Sequence, residues 1–155
     1  MKKAPPLFTI GYEKSALADV LRALKDAKVE LLIDTRAVAA SRRAGFSKKM
    51  LAAGLEEEGI KYLHLQKLGT PAEGREAARA GNYRKLWQIY GKHIKTKDAR
   101  EQLDALEDML REGRRLCLLC YEREPTECHR SKIAEIMQER TGRTIENLFT
   151  APPGL

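Results

Sequence analysis

Two cysteines, a glutamate, a histidine and an arginine fall within the eleven residues Cys120-Tyr-Glu-Arg-Glu-Pro-Thr-Glu-Cys128-His129-Arg130. That is more reactive chemistry than a solvated turn needs. A thiol beside cations or at a helix start is readily ionised and nucleophilic. A neighbouring carboxyl group can move protons, and a guanidinium fork binds phosphate or carboxylate. Cys120 and Cys128 are therefore candidate nucleophiles, Glu122 a candidate acid or base, and His129 and Arg130 candidate anion ligands. The bland reading is a buried Cys120, a helix-packing Cys128 and charges in water, because free cysteine is often just a small buried hydrophobe.

Two familiar chemistries fit this stretch poorly. Phosphatase and rhodanese loops carry an arginine six positions after their cysteine, and six positions after Cys120 stands Thr126. Cys117-Leu-Leu-Cys120 matches a C-x-x-C metal or redox pair, which Cys128 and His129 would extend to four ligands. The run from Arg115 to Tyr121 reads as a strand, however, and strand positions three apart point to opposite faces. Zinc or iron is disfavoured on this ground, and no cofactor is expected.

Elements on either side must position the motif. Arg114-Arg-Leu-Cys-Leu-Leu119 is an apolar run of strand length, and Ile133, Ile136 and Met137 recur at helical spacing after it. Pro125 and Thr126 predict a helix start, which puts Cys128 to Arg130 in a first turn whose free N–H groups favour anions. Earlier in the chain, Leu7 to Ile10 is a strand ended by Gly11. Ser15 is the expected cap of a helix striped by Leu17, Val20, Leu21 and Leu24. Val29 to Ile33 is a strand too apolar to alternate, hence buried on both faces.

That second strand runs into Asp34-Thr35-Arg36, the position where open α/β sheets bind ligands. Asp34 is a candidate base and Arg36 a candidate anion ligand; an internal ion pair is the competing reading. A small-residue loop follows, with Arg42, Arg43, Lys48 and Lys49 as a candidate nucleic-acid surface. Ser47 is expected to cap a helix carrying Met50, Leu51 and Leu55 up to Gly59. Ile60 to Leu65 reads as a third strand, with His64 as a packing histidine. Residues 71–82 read as loop or marginal helix. A helix with Tyr83, Leu86, Trp87, Tyr90 and Ile94 on its stripe follows, and packing explains that stripe better than base stacking. A helix from Lys97 to Glu112, a short edge strand within 144–149 and a frayed tail after it complete the chain.

This order of elements predicts an α/β fold: three layers, Rossmann-like, with a mostly parallel sheet of four to five strands between helices. The 155 residues fit a single domain, with its core at about 7–149 and a tail at 150–155. Hydrophobic residues at 43% and charged residues at 33% suit a globular protein. No apolar run is long enough to span a membrane, and the first residues lack the apolar segment of a signal peptide, so no membrane partner is expected. Three cysteines, an odd number, suggest reduced thiols in the cytoplasm. The net charge of +7 is spread along the chain, which permits a phosphate-containing ligand or nucleic acid as partner. Nothing in the letters sets an oligomeric state.

The chain resembles the bacterial and archaeal family catalogued as domain-of-unknown-function 488. The matching pieces are Thr9-Ile-Gly11, Asp34-Thr-Arg36 with Ser41 and Phe46, Tyr62-Leu-His-Leu-Gln-Lys-Leu-Gly69, and Leu119-Cys-Tyr-Glu122 through Pro125 to Cys128-His129-Arg130. Tyr12-Glu-Lys-Ser15 stands where members often carry a small-residue or histidine-serine turn, and alanines replace the proline many carry after Asp-x-Arg. The resemblance implies an α/β domain with these positions gathered at one site, and it implies no particular reaction. The residues themselves suggest an enzyme, a hydrolase or transferase acting on a phosphorylated nucleotide or nucleic-acid end. The alternatives are a non-catalytic nucleic-acid-binding module and a metal-binding or thiol redox protein.

Overall fold

The computed structural model describes residues 4–150; the frayed tail expected at 151–155 lies outside them. Five strands form one parallel sheet: β1 (Leu7–Gly11), β2 (Leu31–Asp34), β3 (Lys61–His64), β4 (Leu116–Cys120) and β5 (Ile145–Leu148), in the order β3-β2-β4-β1-β5. The helices are α1 (Leu17–Asp26), α2 (Lys48–Glu57), α3 (Ala72–Arg79), α4 (Tyr83–His93), α5 (Lys97–Arg111) and α6 (Arg130–Thr141). The protein is a three-layer, Rossmann-like α/β fold. Among the described residues, no helix is long and apolar enough to cross a membrane.

Strand periodicity divides the core in two. Leu116 and Leu118 of β4 face a layer with Leu103, Leu106 and Leu110 of α5 and with Ile133 and Met137 of α6. Cys117 and Leu119 face the opposite layer, with Val20 and Leu24 of α1 and Leu51 and Leu55 of α2. β2 and β4 are fully buried along their length, as a central parallel strand covered on both faces must be.

Connections from β1 and β2 leave through the layer of α1 and α2, whereas β4 leaves through the layer of α6. β4 lies between β1 and β2, so a crevice opens where its chain departs to the other face, at the carboxyl ends of all three strands. Register sets Gly11 beside Cys120 and Asp34 beside Leu119. Residues far apart in sequence are thereby placed at one sheet edge.

Two local expectations are corrected and one open choice is decided. Ser15 does not cap α1: the cap position is Ala16, and the Ser15 hydroxyl instead meets Glu13 O and the Thr150 hydroxyl. The segment read as loop or marginal helix forms α3, because Ala77 and Gly74 pack tightly, Gly74 against Thr70 and Leu86. The helix expected from Thr126 begins only at Arg130. Pro125–Glu127 make a single 3-10 turn, and Cys128 returns to extended backbone at φ −126° and ψ 144° before α6 starts.

Candidate functional site

At the end of β2, Asp34 is completely buried and Arg36 is 6% exposed. Arg36 Nε and Nη2 donate to the two carboxylate oxygens of Asp34 at 2.9 and 2.7 Å, a bidentate pair. The backbone N–H of Arg36 also donates to Asp34 Oδ1, and the Tyr62 hydroxyl donates to Oδ2. Nη1 of Arg36 is taken up by Tyr12 Oη at 3.2 Å and the Phe46 carbonyl at 2.7 Å. Burial works against the guanidinium charge, but Asp34 outweighs it and the Arg36 pKa is raised. Burial, reinforced by Asp34, raises that of Tyr62 as well. This is the internal ion pair, with both members saturated by protein partners. His64 donates through Nε2 to the Arg36 carbonyl at 2.6 Å, as a packing histidine does.

Arg130 begins α6 and is fully buried. Its Nη1 lies 2.9 Å from Cys120 Sγ and 2.5 Å from the Glu122 carbonyl, and its Nη2 donates to the Arg123 carbonyl at 3.0 Å. The guanidinium ties the loop after β4 to the helix that follows. At the helix start, the N–H of Arg130 donates to Cys128 Sγ and that of Ser131 to the Cys128 carbonyl. Two donors expected to hold an anion there are engaged within the motif.

The sulfurs of Cys120 and Cys128 are brought into direct contact, and Cys117 stands apart from them. Cys117 lies in the α1/α2 layer, on the face of β4 opposite Cys120, and burial raises its pKa. Among the described residues, one group of side chains has donor atoms at metal-binding spacing: Cys120, Cys128 and His129, all within 4.8 Å of one another. The Glu122 carboxyl is 3.6 Å from Cys120 Sγ. Burial raises its pKa, with the charges of Glu13 and Glu127 adding to the effect.

His129 bonds through Nε2 to the Thr35 carbonyl at 2.8 Å, with Thr35 Oγ1 at 3.1 Å. Because a carbonyl only accepts, Nε2 carries the proton and Nδ1 is left as a bare acceptor, 3.8 Å from Cys128 Sγ. Burial, with a contribution from the Arg130 charge, lowers the His129 pKa to about 4. An imidazole titrating near 6.5 in the unfolded chain therefore stabilises the fold fully above pH 6.5. That contribution, about 3 kcal/mol at most, is lost as pH falls toward 4. Glu122 has the opposite sign. Urea unfolding at pH 7 and pH 4.5 should show a steeper acid loss in the natural protein than in His129→Gln, a comparison in which the Glu122 contribution cancels.

A cleft of about 310 Å³ opens over these groups, lined by Tyr12, Arg36, Thr70, Arg75, Tyr121, Glu122, His129 and the Ala37 to Ala40 loop. Sequence reading missed Arg75, because its segment carries little helical signal. Its guanidinium makes no ion pair or hydrogen bond with the described residues, and its Nε is buried without a protein acceptor. Tyr12, which sequence places at this edge without a role, stacks on Phe46 at 4.4 Å and carries Arg36 over its ring at 5.4 Å. Arg42 and Arg43 line a separate groove of about 690 Å³, and Lys48 and Lys49 stand exposed at the start of α2. Of the aromatic stripe on α4, Leu86 and Tyr90 are buried and the Tyr90 hydroxyl donates to Leu68 O.

A family model described as Domain of unknown function DUF488 matches residues 16–137, a span that takes in the Asp34 pair, α3 and the whole cysteine motif. Neither a curated protein nor a solved structure matches the chain.

Proposed function

The chain belongs to the DUF488 family, and we propose that it is an enzyme acting on a small phosphate-bearing substrate held in the cleft at the carboxyl ends of β1, β2 and β4. The observation that carries this reading is the contrast among three arginines. Arg36 and Arg130 are spent on protein acceptors, while Arg75 lines the cleft beside Arg36 with no partner among the described residues. A buried N–H without an acceptor costs free energy unless a ligand supplies one. Phosphate oxygens match the guanidinium fork. The cleft volume sits at the lower end for ligand pockets, which suits a mononucleotide-sized molecule or a nucleic-acid end.

Glu122 is the acid–base group of this reading. It lines the cleft, and burial favours its protonated form, so it is suited to protonate a leaving oxygen. Asp34, by contrast, has its lone pairs committed to Arg36 and Tyr62 and serves as a positioning residue. The reaction class is hydrolysis or transfer of a phosphorylated group, and the setting we propose is the cytoplasm.

Thermal-shift measurements with inorganic phosphate, a nucleoside monophosphate and the matching nucleoside test the reading. Both anions should stabilise the protein and the nucleoside should not. Arg75→Ala should erase the anion-dependent shift without lowering the baseline melting temperature. An equal shift in Arg75→Ala sinks the assignment. Once a substrate is found, Glu122→Gln should reduce turnover by roughly 10²–10⁴-fold at unchanged anion binding.

Nucleic-acid binding is a second reading, favoured by the exposure of Arg42, Arg43, Lys48 and Lys49 without acidic partners among the described residues. Joint replacement of the four by Gln should weaken oligonucleotide binding and flatten its salt dependence, since fewer counterions are released. An unchanged salt slope leaves the loop a solvated surface.

A further inference from the structure

We propose that Cys120 and Cys128 form a dithiol–disulfide site that exchanges electrons with low-molecular-weight thiols and disulfides. The argument starts from Arg130. Its side chain is 0% exposed, yet among the described residues it makes no salt bridge: its acceptors there are two backbone carbonyls and the sulfur of Cys120, and its Nε has none. A buried guanidinium without a counter-ion is costly. The carboxyl group of Glu122, beside Cys120, is pushed by burial toward the neutral form. The group at 2.9 Å that can become an anion is Cys120 Sγ, and it does so when the disulfide is reduced. The position of Arg130 is thus explained by a thiolate at Cys120.

Cys128 has a different kind of support. Its sulfur accepts the N–H of Arg130 at 3.4 Å and faces the unprotonated Nδ1 of His129 at 3.8 Å. The other ring nitrogen is fixed on the Thr35 carbonyl, so the bare nitrogen stays aimed at the thiol. One sulfur is held as a thiolate by a cation, and the other is oriented by a backbone N–H donor and the ring of His129.

The exchange balances without any further reactant. With a small disulfide RSSR, the Cys120 thiolate attacks one sulfur and expels RS⁻, leaving a mixed disulfide on Cys120. Cys128 gives its proton to that RS⁻ and attacks Cys120 Sγ, which breaks the mixed disulfide and expels the second RS⁻. The one proton of the dithiol ends on the first released thiol, and the second RS⁻ takes its proton from water: the protein loses two electrons and RSSR gains them. A small dithiol runs the sequence in reverse. Each cysteine is only 1% exposed, behind the cleft wall formed by Glu122 and His129. That burial excludes protein disulfides and selects small partners.

The test equilibrates the full chain with buffers of varied reduced-to-oxidised glutathione ratio, quenches in acid, and alkylates after unfolding for mass spectrometry. One two-electron transition is expected, confined to Cys120 and Cys128, with Cys117 alkylated at every ratio. Reduced protein should react with oxidised glutathione at least tenfold faster than its Arg130→Lys form, with circular dichroism checking that both are folded. The wild-type equilibrium decides the matter even if that variant does not fold. The proposal is overturned if Cys120 and Cys128 remain thiols in excess oxidised glutathione, or if they exchange only in denaturant. Protection of both from alkylation by one zinc per chain, relieved by a chelator, overturns it as well.

Discussion

Asp34→Ala should destabilise the protein by about 3–5 kcal/mol, the cost of leaving a buried charge without its partner. The substitution strands the Arg36 guanidinium at 6% exposure, with Nε and Nη2 both deprived of acceptors, and also removes the acceptor of the Tyr62 hydroxyl. For a chain of this size the loss corresponds to a melting temperature lower by roughly 10 °C or more. Asp34→Asn keeps the shape but presents one amide nitrogen toward Arg36 donors, so it should fall between the two. The same measurement separates the positioning role from a catalytic one. A catalytic aspartate could be replaced with little loss of stability, so a melting temperature within 2 °C of the natural protein would falsify the ion-pair account.

Gly11→Ala is expected to cost about 3 kcal/mol and, beyond that, to disable the cleft. A methyl group at position 11 would lie well inside contact distance of the Glu122 carbonyl oxygen, with Arg123 Cα beside it. That carbonyl is the acceptor of Arg130 Nη1, and β1 is paired to β4 at this level through Gly11 and Cys120. The methyl group therefore displaces the segment that carries Glu122 and breaks one of the two carbonyl ties of Arg130. Urea unfolding reads the stability loss, and the anion-dependent thermal shift reads the cleft. Gly59→Ala is a useful contrast, since its backbone is at φ +73° but nothing lies within 4 Å of the added carbon. It should cost stability through backbone strain and leave anion binding untouched. Equal effects of the two substitutions on anion binding would contradict the close-approach explanation.

Much of the architecture was legible because it depends on local repetition. The apolar runs at Leu7, Leu31 and Leu116 and the helical stripes of α1, α5 and α6 reflect periods of two and 3.6 that each segment carries by itself. Alternation along β4 was enough to separate Cys117 from Cys120. The order of elements also brought Gly11, Asp34 and Cys120 to one edge, since a parallel sheet aligns the carboxyl ends of its strands. Boundaries were less legible at the motif itself, where Cys128 takes extended backbone and delays α6 by four residues from the Thr126 start that Pro125 and a good capping residue advertised.

What the letters determined, then, were the elements, their order and the edge at which reactive side chains meet. Only the tertiary structure decided which charges at that edge are free. Arg36, Arg75 and Arg130 are the same residue in the sequence, but the first meets a carboxylate two residues away and the last is clamped by Glu122 and Arg123 carbonyls. Arg75 reaches the cleft on a helix whose formation depends on packing against Thr70 and Leu86, and there it meets no acceptor among the described residues. A side chain's availability is set by partners distant in sequence and by the water it loses on burial, neither of which local periodicity encodes.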